Sequence, residues 1–255
     1  MFLTIITPFK GDIKKLEITL NSYKSNLKKT KFDYEIIIVT AEYNKIIPKF
    51  KYYKNLNINL IKEKENRGIY TAMNIGIEFS KGEYLNFINC GDQINKTFIE
   101  FIEFIYKTYR KNEILFSFTV AQKSISGNSI RKRIPPRSKY SGLISNPWSH
   151  CGILFPGKYI RKSKYSKEYI CAADYEKILD LLFTYNLKYK NFLLNKPAVI
   201  IDIDGFSFKN KNICIKELRE IKRSYLRNKS LLVKIFSQIA YLLFYFEQFL
   251  KKKIR

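Results

Sequence analysis

Residues 65–92 read ENRGIYTAMNIGIEFSKGEYLNFINCGD, and the local structure this stretch predicts decides the fold class. Asn66-Arg67-Gly68 is a turn. From Ile69 to Phe79 the residues Ile69, Ala72, Met73, Gly76 and Ile77 recur at helical spacing, and the small ones let that helix lie close to a sheet. Lys81-Gly82 stops it. Tyr84 to Ile88 then reads as a buried strand ending in the polar tight turn Asn89-Cys90-Gly91-Asp92. Open α/β sheets bind ligands at the carboxyl ends of their strands, so this turn is the first candidate site. Alone it is weak, because Asn, Gly and Asp are what any tight turn uses.

Upstream the same alternation repeats. Phe2 to Thr7 is an apolar strand ended by Pro8. After the Phe9-Lys10-Gly11-Asp12 turn, Ile13, Leu16, Ile18, Leu20 and Tyr23 mark a helix. Ile36-Ile37-Ile38-Val39 is a second strand and Asn57 to Ile61 a third. Strand, helix, strand in this order implies parallel pairing with right-handed crossovers. The expected fold is therefore α/β, a Rossmann-like, doubly wound, mostly parallel sheet flanked by helices.

The ordered motifs NRGIYTAMNIGI, GEY and INCGD resemble the family-2 glycosyltransferases, in particular the branch of colanic-acid-type, capsular and lipopolysaccharide biosynthesis transferases. The resemblance covers most of residues 1–207 and implies a fold of GT-A type. It implies a donor that is a nucleotide sugar, a UDP- or GDP-sugar, and an acceptor that is a growing glycan, polyprenol-linked, at the cytoplasmic face of the plasma membrane. It places a divalent metal, Mg2+ or Mn2+, on Asp92. Thr7-Pro8-Phe9 resembles the first nucleotide-binding loop, and Asn66, Arg67, Gly68, Asn74 and Asn89 fall in donor-binding segments. Two departures stand out. Thr71 replaces the family's usual Asp, and the second strand ends Val39-Thr40-Ala41-Glu42 where an Asp should contact the base, leaving Glu42 as a shifted candidate.

Further along, Asn95 to Tyr109 is an amphipathic helix, Ile114 to Val120 a strand, and Gln122 to Pro147 a polar, basic loop. His150 precedes the apolar run Cys151 to Pro156. A lone histidine there is most often structural, but the family commonly has one at this place, so a contact with diphosphate or acceptor is an equal reading. Asp174 and Glu176 open a helix, where acidic residues are favoured in any case. By resemblance, Ala172-Ala173-Asp174-Tyr175-Glu176 holds the catalytic base, with Asp174 taking the proton from the acceptor hydroxyl in an inverting displacement. Ala198 to Asp202 is a strand leading to Asp204-Gly205-Phe206-Ser207, which resembles the family's Gly-Gly-x-Ser segment, with Gly205 keeping the backbone close to the substrate.

The 255 residues suffice for one large domain or a domain with an appendage, here residues 1–210 and a basic helical tail, 211–255. The 47 Lys and Arg against 22 Asp and Glu give a net charge of +25. An anionic partner and a lysine-rich proteome both account for that charge, and the Lys, Ile, Asn and Tyr bias along the whole chain favours the second. Nucleic acid is therefore an unlikely partner, although a basic nucleic-acid-binding protein, like a non-catalytic relative of the transferases, stays as an alternative. Cys90, Cys151, Cys171 and Cys214 lack zinc or redox spacing and read as reduced thiols. The single histidine rules out multi-histidine metal sites. Residues 2–8 are too short and lack the basic leader of a signal peptide, which fits a cytoplasmic protein. Residues 231–250, LLVKIFSQIAYLLFYFEQFL between basic ends, fit a helix in a membrane interface or one packed on a protein surface. They fit a membrane-spanning helix less well.

Overall fold

The computed structural model describes residues 1–64, 67–110, 112–123, 130–202 and 210–227, with the single positions 235 and 239. The first half follows the expected alternation: β1 (Leu3–Pro8), α1 (Ile13–Asn26), β2 (Tyr34–Thr40), α2 (Tyr43–Phe50), β3 (Ile58–Lys62), α3 (Ile69–Phe79), β4 (Tyr84–Phe87), β5 (Gln93–Ile94) and α4 (Lys96–Tyr109). Asp12 and Asn95 cap α1 and α4 by accepting from Lys14 N and Thr97 N at 2.8 and 2.9 Å. Such caps satisfy amides that the first helical turn leaves orphaned.

The main sheet has seven strands in the order β10-β6-β9-β4-β1-β2-β3, where β6 is Ile114–Phe118, β9 Ile153–Pro156 and β10 Lys188–Phe192. β1 pairs in parallel with β2 and β4, β2 with β3, and β10 with β6, while β9 runs antiparallel to both its neighbours. Side chains alternate between two cores. Leu3, Ile5, Ile36 and Ile38 face α1 and α4, whereas Ile6, Ile37 and Val39 face α3 and α6 (Ala173–Leu179). This is the doubly wound sheet the sequence predicts. Gly76 shows why its small residues matter, since a Cβ there would come within 2.6 Å of Ile6 Cγ2 in β1.

Two expectations are corrected. Residues 114–120 are not one strand. Thr119 accepts from Ala198 N at 2.9 Å with its carbonyl and from Leu194 N at 3.0 Å with its hydroxyl, so the 194–198 segment takes up its polar groups. The chain thereby leaves the first sheet and enters a second, ordered β5-β11-β7-β8, with β7 Val120–Lys123, β8 Ile130–Arg133 and β11 Val199–Ile201. The basic segment from Gln122 is accordingly not all loop, because β7 and β8 pair antiparallel over Val120↔Arg133 to Lys123↔Ile130. A short helix α5 (Gly157–Ile160) follows β9, and α7 (Lys211–Arg227) follows β11.

Helix α7 lies beyond the boundary expected at residue 210, yet it is bound into the preceding unit. Ile221 is buried in the second core, and the buried carboxylate of Glu217 accepts from Ile170 N, Cys171 N and Ala172 N, each at 2.9 Å. No helix among the described residues is long and apolar enough to cross a membrane. The expected element at 231–250 lies outside the described residues apart from positions 235 and 239.

Candidate functional site

A cavity of about 420 Å³ opens at the carboxyl ends of β1, β3 and β4. Its floor is Pro8, Phe9 and Lys10 after β1, Glu63 after β3, and Asn89 and Cys90 after β4. One wall is Arg67 to Ala72 at the start of α3, and the other is Lys167, Tyr169 and Ile170. Of the residues expected to bind substrate, Pro8, Phe9, Arg67, Gly68 and Asn89 line it. Asn66 and Gly205 lie outside the described residues.

Gly68 caps α3 at φ +98°, in the left-handed region that an L side chain rarely adopts. Its conformation turns the chain so that the helix starts at the cavity wall. The first-turn amides of α3 then make this end attractive to an anion, and Lys10, Arg67 and Lys167 add positive charge around it.

The remaining expected residues sit behind the lining. Thr7 is buried, its hydroxyl 2.8 Å from the Tyr23 hydroxyl. Asn74 clamps the backbone of Tyr165, accepting from its N at 2.8 Å and donating to its O at 2.9 Å. His150 stacks on Phe87 with ring centroids 4.8 Å apart, and its Nε2 lies 2.7 Å from the Tyr165 hydroxyl. Enclosure by Phe87, Phe155 and Tyr165 lowers its pKa to about 3, so the ring is neutral at pH 7. The ring thus serves Tyr165 and does not line the cavity, which favours the structural reading of His150 over a contact with diphosphate or acceptor. Asn74 and His150 instead converge on Tyr165, whose ring packs 5.5 Å from that of Tyr70 in the cavity wall. Glu42 does not line the cavity either. Its two oxygens are held by Gly11 N and Lys45 Nζ, both at 2.7 Å.

Asp174 approaches from beneath the wall. Its Oδ1 accepts from Tyr175 N at 2.8 Å and lies 3.3 Å from the Tyr70 hydroxyl, whose own proton goes to the Cys171 carbonyl at 2.7 Å. Burial raises the Asp174 pKa to about 6, against the hydrogen bonds that favour its anion. A carboxyl poised there is ionised at neutral pH and still basic enough to take a proton. The Glu217 carboxylate holds the turn immediately before it, a role that cannot be read from the charged run KELREIK.

Asp92 is the inner brace of the β4 turn. Only 3% exposed, it accepts from Asn89 N at 3.3 Å on one oxygen and from Asp202 N at 2.9 Å on the other. Gly91, at φ +97°, lets the turn close, because a Cβ there would meet Asp202 Oδ2 at 2.6 Å. Asp202 in turn pairs with Lys15 at 2.6 Å. The described residues contain no group of three His, Cys, Asp or Glu able to hold a metal. With both oxygens turned inward onto backbone amides, Asp92 does not fit the ligand role expected of it. The cavity face of this turn is Asn89 and Cys90.

Burial raises the Asp92 pKa to about 7, from 3.8 in the unfolded chain. The folded state then holds a proton that the unfolded state releases between these values, so this group's contribution to stability falls as pH rises through about 7. At about 1.4 kcal/mol per unit the full effect is on the order of 4 kcal/mol. His150 acts in the opposite direction below pH 6.5, which makes the difference between wild type and Asp92→Asn the informative quantity. The variant is expected to lose Tm less steeply than wild type from pH 5 to 8 and to leave any Mn2+ dependence of nucleotide binding unchanged. An unaltered Tm profile with a lost metal response would restore Asp92 as a ligand.

A doubly wound sheet with a cavity at the carboxyl ends of its strands defines an α/β fold that binds its ligand in that crevice. Residues 4–168 match the model of the family described as Glycosyl transferase family 2, and the chain belongs to that family. Among solved structures it is similar to S. aureus TarS 1-349 at 17% identity, covering 95% of this chain and 71% of that one with a TM-score of 0.66. The same protein in complex with UDP-GlcNAc gives 14% identity, 91% and 68% coverage, and a TM-score of 0.64. A mannosyltransferase from Pyrobaculum calidifontis in complex with GDP-Man and Mn2+ gives 13%, 89%, 64% and 0.57. The chain thus spans slightly less than two thirds of that enzyme. At these identities the likeness is one of fold. No curated protein sequence matches the chain.

Proposed function

We propose that this protein is an inverting glycosyltransferase that moves a sugar from a nucleotide-sugar donor to a growing cell-surface glycan. The observation that carries the reading is the half-buried Asp174 carboxyl, 3.3 Å from the hydroxyl of Tyr70 in the cavity wall and with its pKa raised to about 6. The donor's diphosphate is met at the Asn89-Cys90 end of the cavity, with Lys10 on the neighbouring strand end after β1. Asp174 then removes the proton from the acceptor hydroxyl as its oxygen attacks the anomeric carbon from the face opposite the diphosphate. The UDP-GlcNAc and GDP-Man held by the two structural neighbours support a nucleotide-sugar donor.

The motif pattern of residues 66–92 supports an acceptor of the colanic-acid, capsular or lipopolysaccharide kind, carried on polyprenol at the cytoplasmic face of the membrane. The exposed helical residues Ile235 and Ile239, four apart and thus on one face, support a peripheral contact through the tail.

The test is a panel of UDP- and GDP-sugars assayed for nucleoside diphosphate release, with and without Mn2+. Release from one donor that requires Asp174 is the expected result. A folded protein that binds no nucleoside diphosphate and releases none overturns the proposal.

A further inference from the structure

Resting on the reading of the cavity as a nucleotide site, we propose that Glu63 reads the base of the donor and selects guanine. The position expected to do this, at the end of β2, is Thr40, whose side chain is buried and accepts from Glu42 N at 2.9 Å. Its neighbour in the sheet supplies the missing carboxylate. β2 and β3 pair in the register Thr40↔Lys62, and the next residue, Glu63, donates its N–H to the Thr40 carbonyl at 2.8 Å. Glu63 therefore stands one strand over, at the same carboxyl end of the sheet. It is 5% exposed and lines the cavity, which Glu42 does not. Among the described residues its Oε1 accepts a long bond from Arg67 N, 3.3 Å.

The strand order places the rest of the ligand. Glu63 follows β3 and Asn89-Cys90 follow β4, with β2 and β1 between them, three interstrand steps or ~14 Å at ~4.8 Å each. A nucleoside diphosphate laid across those strand ends has its base at one end and its phosphates at the other. A carboxylate repels phosphate, so the Glu63 end takes the base.

An ionised carboxylate is acceptor-only, with two oxygens side by side. Guanine is the base whose pairing edge offers two adjacent donors, N1–H and the 2-amino group, matched to such a pair. Uracil offers one N–H flanked by two carbonyl oxygens, which a carboxylate repels. Adenine and cytosine place a ring acceptor beside their amino group. A buried site built for two donors rejects a base that leaves an oxygen unmatched.

Calorimetric titration of the full chain with GDP, IDP, UDP, ADP and CDP tests this. GDP is expected to bind roughly 10- to 100-fold more tightly than UDP, the discrimination of a good bidentate pair. IDP, which lacks the 2-amino group, is expected to lose about tenfold against GDP, the value of one charge-assisted hydrogen bond. This comparison needs no mutation. Glu63→Gln replaces one acceptor by a donor, so it should weaken GDP and strengthen UDP, since an amide can accept from uracil N3–H while donating to its carbonyl. UDP binding as tightly as GDP, or IDP equal to GDP, overturns the role of Glu63 and leaves the transferase reading standing. Absence of binding by every nucleotide overturns both.

Discussion

Asp174→Asn is expected to lower the transfer rate by roughly 10²- to 10⁴-fold, the range for a lost general base, with little change in nucleoside diphosphate affinity. The isosteric amide keeps the Oδ1 that accepts from Tyr175 N and faces the Tyr70 hydroxyl, so the variant should fold. What it loses is the capacity to take a proton. The same carboxyl is expected to set the pH dependence of transfer by the wild type. Only its anion is a base, so the transfer rate should rise as pH passes through about 6 and then level off. Single-turnover rates measured across pH, beside a nucleotide titration of each protein, separate chemistry from binding. A variant that keeps full turnover, or one that loses nucleotide affinity instead, would remove Asp174 from the catalytic role.

The second large effect is expected at Glu217, which touches no substrate. Its carboxylate gathers the amides of Ile170, Cys171 and Ala172, and those residues lead directly into α6 and Asp174. Glu217→Ala leaves two buried N–H donors, those of Cys171 and Ala172, and the part-buried one of Ile170 unmatched, the buried ones worth ~1–3 kcal/mol each. A loss of ~3 kcal/mol or more lowers the Tm by roughly 10 °C for a chain of this size. Glu217→Gln keeps one acceptor and should fall between. Because the held turn leads into Asp174 and Ile170 lines the cavity wall, both variants should lose turnover and nucleotide affinity together. For the same reason a chain cut at residue 210 should be inactive. A Glu217→Ala protein with wild-type Tm and turnover would show that α7 is dispensable.

Much of this architecture is legible in the sequence because its first half obeys simple periodicities. The β-branched runs of β1 and β2, the helical spacing of α3 and the Asn95 cap of α4 all carry their structure locally. The second half depends on partners distant in sequence. Nothing in the run from Ile114 to Val120 marks Thr119 as the point where the chain changes sheets, since the carbonyl and amides that hold it come from residues 194–198. β8, with all four residues exposed, lacks an apolar face to betray it.

The site divides in the same way. The cavity-lining Pro8, Phe9, Arg67, Gly68 and Asn89, and Asp174 behind the wall, lie in motifs legible in the sequence. Asn74 and His150 belong to the same motif-bearing segments but serve Tyr165. Glu63 and Glu217 look in sequence like two more charges among lysines, and only burial distinguishes them. The inward turn of Asp92 likewise follows from the amide of Asp202, which no local pattern announces.

That last bond joins positions 110 residues apart, and it sets an order of events during synthesis. β1 to β4 can pair as soon as they emerge, since their connections are short and their contacts close in sequence. The turn at their ends stays open until residue 202 arrives to receive Asp92, and Asp174 stays unanchored until residue 217 follows. A ribosome-bound chain of 200 residues would therefore carry most of the main sheet and little of the active site. The site around Asp92 and Asp174 is then completed only once residues 202 and 217 have been made.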